Sequence, residues 1–179
     1  MDKEKPNSPL INFMADAMYE VAKLDYTKAP IDAAMMNYGG VRLNSIPKGP
    51  ITVRGMYELM PFDNTMVIVH LDSIKMQRLL DKVADYGGWP ISKGVLFELY
   101  EGRAINATIN GQALNAKNKW VVALPNYVAE GGDGTTFLID APKEDTGIFI
   151  RDMLIKYVRM TKEIVPDLVP RIIVSNEKR

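Results

Sequence analysis

"LPNYVAEGGDGTTF", residues 124–137, is an apolar run that ends on an aromatic, Tyr127, and breaks into Gly131-Gly132-Asp133-Gly134 before turning apolar again. Glycine loses more backbone freedom on folding than any other residue, roughly 0.5–1 kcal/mol relative to alanine inside a regular element. The cluster therefore marks a place where the backbone needs that freedom. A calcium-binding glycine repeat requires stacked copies, and the sequence holds one. A phosphate cradle requires a following lysine and a helix N-terminus, whereas "TTFLID", residues 135–140, reads as a strand. On the residues alone, a tight turn and a ligand-contacting loop remain open.

Working outward, strands and helices alternate irregularly. Ser8-Pro9 reads as an N-cap and first helical position, followed by Leu10, Met14, Ala17, Met18, Val21 and Leu24 at helical spacing. "IDAAMM" (31–36) is a short strand running into the glycine-containing loop "NYGGVR". Thr52 opens a short helix that stops before Pro61, and "TMVIVHL" (65–71) is a β-branched strand. Ser73 caps a helix through Ile74, Leu79, Leu80, Val83 and Tyr86, closed by Gly87. "GVLFELYEG" and "AINATI" alternate, and Asn110-Gly111 is a two-residue hairpin signal. "KWVVAL" delivers the chain to Tyr127. Thr146 caps a long helix ending before Pro166, and "RIIV" is a last strand. The expectation is an α+β fold with a mixed β-sheet and flanking helices. It is a single domain over 8–175, with flexible segments at 1–7 and 176–179.

The 179 residues carry 22 Lys plus Arg against 22 Asp plus Glu, so a basic field for nucleic acid or an anionic membrane surface is missing. No apolar run approaches the roughly 18 residues of a membrane span, and the first ten residues contain no signal-peptide apolar core. There is no cysteine and a single histidine, His70, which reads as an ordinary half-buried strand residue. Zinc and two-metal sites lack their usual ligands, so no metal or other cofactor is expected in this chain.

Four motifs in order, "NSPLINFMADAM", "MNYGGVRLNSIPKGPIT", "MYELMPFDNTMVIVHL" and "LPNYVAEGGDGTTF", with "DTGIFIRDMLIKYV" after them, resemble the C-terminal, substrate-binding domain of the 5'-nucleotidase/UDP-sugar hydrolase family. The resemblance runs from Asn7 to about Val174. It implies a two-part enzyme for hydrolysis of nucleotide phosphate monoesters. A separate metallophosphoesterase domain or chain would hold the divalent metals, while this part grips the nucleotide or nucleoside. It also implies a periplasmic or secreted location. Carried over by motif, Phe62 and Tyr127 would clamp the base. Asn37 and Arg42 would touch base and phosphate or ribose, and Asp133 would accept from ribose hydroxyls. Gly39, Gly40, Gly131, Gly132 and Gly134 would let backbone approach the ligand. Without the resemblance, Phe62 reads as a core residue, Tyr127 as a core or interface residue, Asn37 as a turn former and Arg42 as a solvated charge.

Three features depart from the family pattern. Tyr38 and Asp63 stand where glycines are expected, the latter placing a negative charge near an anionic ligand. Lys3 and Lys5 stand where phosphate-binding arginines precede the first helix. These changes bear on phosphate affinity and nucleotide preference. The alternative reading is a stand-alone nucleoside-binding module with no catalytic partner.

Overall fold

The computed structural model describes residues 1–176. Its elements are α1 (Pro9–Asp25), β1 (Ala33–Ala34), α2 (Val53–Leu59), β2 (Thr65–Leu71), α3 (Ser73–Asp85), β3 (Val95–Tyr100), β4 (Arg103–Ile109), β5 (Gln112–Ala113), β6 (Trp120–Pro125), α4 (Asn126–Ala129), β7 (Lys143–Phe149), α5 (Ile150–Thr161) and β8 (Ile172–Val174). One sheet has the order β1-β6-β2-β7, with β1 parallel to β6 and the other pairs antiparallel. The second has the order β5-β4-β3-β8, with β8 parallel to β3. The architecture is the expected mixed α+β fold.

The first sheet is covered on both faces, which is why β2 and β6 read as continuous apolar runs. Val67, Val69 and Leu71 of β2 pack with Trp120, Val122 and Leu124 of β6 in a core shared with α3 and the second sheet. Their neighbours Met66, Ile68, Val121 and Ala123 point into another core with α1, α2 and α5. In the second sheet, Glu101-Gly102 and Asn110-Gly111 have positive φ at both residues, the combination that two-residue hairpins of type I′ require.

α1 is buried nearly all round, because the C-terminal segment wraps its remaining side. Buried Asn12 donates through Nδ2 to the carbonyls of Asp167 and Val169 at 3.1 and 3.3 Å. Arg171, 2% exposed, donates to both oxygens of Asp16 and to Asp167.

Several local expectations give way. Asp72, not Ser73, caps α3, accepting from the Lys75 backbone N–H at 2.7 Å, and Ile74 is exposed. Ser8 occupies the N-cap position of α1 without a side-chain cap bond. "TTFLID" forms 3-10 turns rather than a strand. Thr146 lies within β7, where its hydroxyl donates to the Met66 carbonyl at 2.7 Å; α5 starts only at Ile150. The Asp-Thr-Gly signal there is a bulge-like kink with local side-chain bonds, Gly147 N–H to Asp145 and Ile148 N–H to Thr146. Caps and kinks of this kind share one sequence chemistry.

Segment 1–7, expected to be flexible, is tied down. The Met1 ammonium donates to the Ile46 carbonyl, the Lys3 N–H to the Asn44 carbonyl, and Asn7 exchanges bonds with Arg171 and Ile172. Of the tail expected at 176–179, residues 177–179 lie outside the described residues.

Candidate functional site

The topology brings three connections to one end of the first sheet. β1 and β6 run parallel, so the loop after β1, with Asn37, and the turn after β6, with Tyr127, leave from the same end. β2 is antiparallel to β6 and begins there, Met66 opposite Pro125, so the preceding turn with Phe62 joins them. The junction is fixed by the Thr65 backbone N–H donating to Asn126 Oδ1 at 3.2 Å.

Between these segments lies a cavity of about 350 Å³ lined by Asn37, Gly39, Gly40, Phe62, Tyr127 and Asp133, together with Asn64 and Tyr86. Phe62 and Tyr127 are 40% and 43% exposed, and both line the cavity. Asp133 joins two walls. Its Oδ2 accepts from buried Asn37 Nδ2 at 2.9 Å and its Oδ1 from the Tyr127 hydroxyl at 3.0 Å. A carboxylate offers about four lone-pair positions, so acceptor capacity is left for a ligand.

The glycine cluster is required by this geometry. A Cβ on Gly132 would fall 2.5 Å from Tyr127 ring atoms, so only glycine lets the loop lie against the ring. Gly131 turns left-handed at φ 101°, and Asp133 itself sits at φ 52°. The opening stretch is thus both turn and cavity wall. Buried Thr135 donates to the carbonyls of Val128 and Gly132 at 2.6 and 2.7 Å. Lys143 Nζ reaches three carbonyls of the same segment, Ala129, Leu138 and Ile139, at 3.1, 3.2 and 2.7 Å.

Arg42 is not part of the cavity wall. It is exposed, and its guanidinium lies 5.7 Å from the Phe62 ring centroid. Gly39 and Gly40 line the cavity directly, and Gly132 packs against Tyr127, whereas Gly131 faces Ile139 and Gly134 faces Lys82.

Sequence reasoning missed Tyr86, taken as part of the apolar face of α3; it is 42% exposed and lines the cavity. The departure at Tyr38 is absorbed beside it. Its ring lies 6.2 Å from that of Tyr86, with Lys3 Nζ at 4.0 Å and Lys5 Nζ at 4.8 Å from its centroid. Lys5 also sits 3.8 Å over the Tyr86 ring and donates to the Tyr86 carbonyl at 2.6 Å. Burial, then the nearby Arg42 and Lys5 charges, lower the Lys3 pKa from its ordinary value. The Tyr38 hydroxyl is pushed up, first by burial. Asp63 does not project a free charge either, being ion-paired with Arg151 at 2.5 Å.

Chemically, the lining offers aromatic rings, one carboxylate and two asparagine side chains. It suits a planar ring carrying hydroxyl donors. Among the described residues no group of three or more His, Cys, Asp or Glu side chains could hold a metal ion, and this donor set does not fit a two-metal centre. Among them, too, no helix is long and apolar enough to cross a membrane.

The chain resembles known proteins throughout. It is 29% identical over 149 residues to a 5'-nucleotidase of Vibrio cholerae, covering 80% of this chain and 27% of that protein. It is 28% identical over 148 residues to the protein UshA of Escherichia coli, covering 80% and 26%. Among solved structures, a 5'-nucleotidase precursor from Thermus thermophilus superposes with a TM-score of 0.84 at 29% identity, over 99% of this chain and 37% of that one. An NAD nucleotidase from Haemophilus influenzae, 20% identical, shares the fold with a TM-score of 0.74 over 94% and 33%. The chain thus spans about a quarter of the length of the curated relatives it matches. Residues 1–140 match the sequence model described as 5'-nucleotidase, C-terminal domain, and the chain belongs to that family.

Proposed function

We propose that this domain grips a nucleotide or nucleoside for a two-part 5'-nucleotidase, whose metallophosphoesterase part supplies the divalent metals and the hydrolytic water. The observation that carries this reading is the convergence of Phe62, Tyr127, Asn37 and Asp133 on one cavity. The base would lie against the Phe62 and Tyr127 rings, each worth roughly 1–3 kcal/mol of stacking. Asp133, an acceptor only when ionised, would take ribose hydroxyls while holding Asn37 and Tyr127 in place. Arg42, beside Phe62 and facing solvent, would meet the phosphate. The family resemblance supports a periplasmic or secreted setting.

The test is calorimetric titration with four ligands: a ribonucleoside and its 2',3'-dideoxy analogue, each with and without a 5'-phosphate. Arg42→Ala should weaken the phosphorylated ligands several-fold more than the others, and added salt should act on that part alone. Asp133→Asn should weaken the ribo forms more than the dideoxy forms. Equal losses on all four ligands in both variants would mean that these residues only shape the loops. Absence of binding at millimolar concentration by the parent would sink the reading.

A further inference from the structure

Arg151 stands in the first turn of α5, but its side chain, only 15% exposed, reaches to the turn that carries Phe62. Its Nη1 donates both to the Phe62 backbone carbonyl at 3.1 Å and to Asp63 Oδ1 at 2.5 Å. The guanidinium lies 4.7 Å from the Phe149 ring centroid and 5.2 Å from that of Tyr57. The preceding residue adds a third tie, the Ile150 N–H donating to the Asn64 carbonyl at 2.9 Å. Nε of Arg151 is buried without a partner, so the group is oriented by the turn it holds rather than by its own full satisfaction. Pro61, Phe62 and Asp63 are all exposed, so local packing alone is a weak restraint on this turn.

We propose that Arg151 and Asp63 form a staple that sets where the Phe62 ring stands at the cavity, which makes Arg151 a positioning residue for the ligand's base. The proposal rests on the reading of Phe62 as a stacking face. Stacking is sensitive to placement, since small displacements of a positioning group cost large factors in binding or rate. One guanidinium nitrogen serves both acceptors while the flat group lies near two rings; a lysine ammonium could reach an acceptor as a point donor but offers no flat face to the rings. The sequence signal at Asp63, an acid beside an anion-binding site, here marks an anchor.

The experiment is a coupling cycle on the intact chain. A nucleoside panel (adenosine, guanosine, cytidine and uridine) is titrated into the parent, Arg151→Lys, Phe62→Ala and the double variant. Thermal unfolding checks each fold, and hydrogen exchange follows residues 61–65. Arg151→Lys should weaken binding of the preferred nucleoside about threefold or more in the parent background and hardly at all once Phe62 is alanine. Exchange at 61–65 should quicken. Equal losses in both backgrounds would show a general structural role and overturn the proposal, as would unchanged exchange. Should Phe62→Ala bind like the parent, the stacking reading falls and the staple with it. If Phe62→Ala loses binding while Arg151→Lys does not, stacking survives and only the staple fails. Where Arg151→Lys does not fold, Asp63→Asn, whose side chain is 81% exposed, carries the same cycle with the same expected direction.

Discussion

The Tyr127 hydroxyl donates to Asp133 Oδ1 at 3.0 Å and accepts from the Asp133 backbone N–H at 3.3 Å, so ring and loop hold each other. The aromatic face and the acid are one unit, and neither can be repositioned alone. Tyr127→Phe keeps the ring and removes both bonds. Under the proposed role, ribonucleoside binding should fall about three- to tenfold, since each bond to a charged group is worth roughly 1.5–3 kcal/mol when partly dry and less when solvated. The dideoxy analogue should lose less. Tyr127→Ala should cost both analogues about tenfold or more. Calorimetry on the two variants reads the difference. If Tyr127→Phe and Tyr127→Ala were equally impaired, the hydroxyl rather than the ring would be what matters.

Gly132 is the tightest position of the loop. An alanine Cβ there would meet Tyr127 ring atoms at 2.5 Å and the Tyr127 carbonyl oxygen at 2.6 Å. Backbone on one side and a ring tied to Asp133 on the other leave little room to give way. Gly132→Ala should destabilise the chain by about 1–3 kcal/mol, the usual cost of overpacking, and should weaken nucleoside binding in parallel. Urea denaturation and calorimetry check the two effects. A variant of parental stability and affinity would show that the loop slides freely over Tyr127.

Much of this was legible in the sequence because the local signals were redundant. Thr52 before a short helix stopped by Pro61, the β-branched run at 65–71 and Asn110-Gly111 each carry a specific backbone requirement, and each element stands where its signal put it. What failed were signals with two structural outcomes. Asp145-Thr146-Gly147 serves a kink in β7 as readily as a helix cap. "TTFLID" has strand composition, but Thr135 turns its hydroxyl back onto Val128 and Gly132, and the chain coils instead. At the site, the ring and acid positions were readable through motif order. Tyr86 was not, because helical spacing does not tell a core face from a cavity wall. The roles of Lys3, Lys5 and Arg151 depend on contacts 33 to 89 residues away along the chain.

His70 gives a pH signature of its own. It lies in β2 opposite Val121, half-buried, with Nδ1 buried and unpartnered. Burial and then the nearby Lys119 hold its pKa below the usual 6.5, partly offset by Glu144. The unfolded chain therefore takes up a proton near pH 6.5 that the folded chain accepts only at lower pH. Within that window the unfolded state binds more protons, so stability is lost as pH falls below about 6.5. The limiting slope is about 1.4 kcal/mol per pH unit for one proton, and a half-buried group should show only part of it. As the sequence holds a single histidine, His70→Gln should flatten the stability profile between pH 7 and 5.5 in urea denaturation. An unchanged slope would assign the effect to carboxylates.

Lys143 is the last restraint on the loop, and an unusual one, because its ammonium gathers the carbonyls of Ala129, Leu138 and Ile139. These carbonyls bracket the segment that presents Asp133, so one side chain from β7 closes the loop like a clasp. Three donors on a tetrahedral ammonium match three converging acceptors, which neither a neutral chain nor a planar group reproduces. Lys143→Met, similar in length and uncharged, would leave the carbonyls to water and should cost about 1 kcal/mol of stability. The sharper expectation is local. Amide exchange should quicken over 129–139 and not in the second sheet, and nucleoside affinity should drop about threefold while Phe62-side exchange stays as in the parent. Lys143→Arg, keeping the charge with the wrong shape, should fall between. Hydrogen exchange by mass spectrometry, with and without a saturating nucleoside, separates the cases. If Lys143→Met exchanged faster everywhere to the same degree, the clasp would be only one more contribution to global stability, and the loop would owe its shape to the Tyr127–Asp133 pair and the bonds of Thr135 and Asn37.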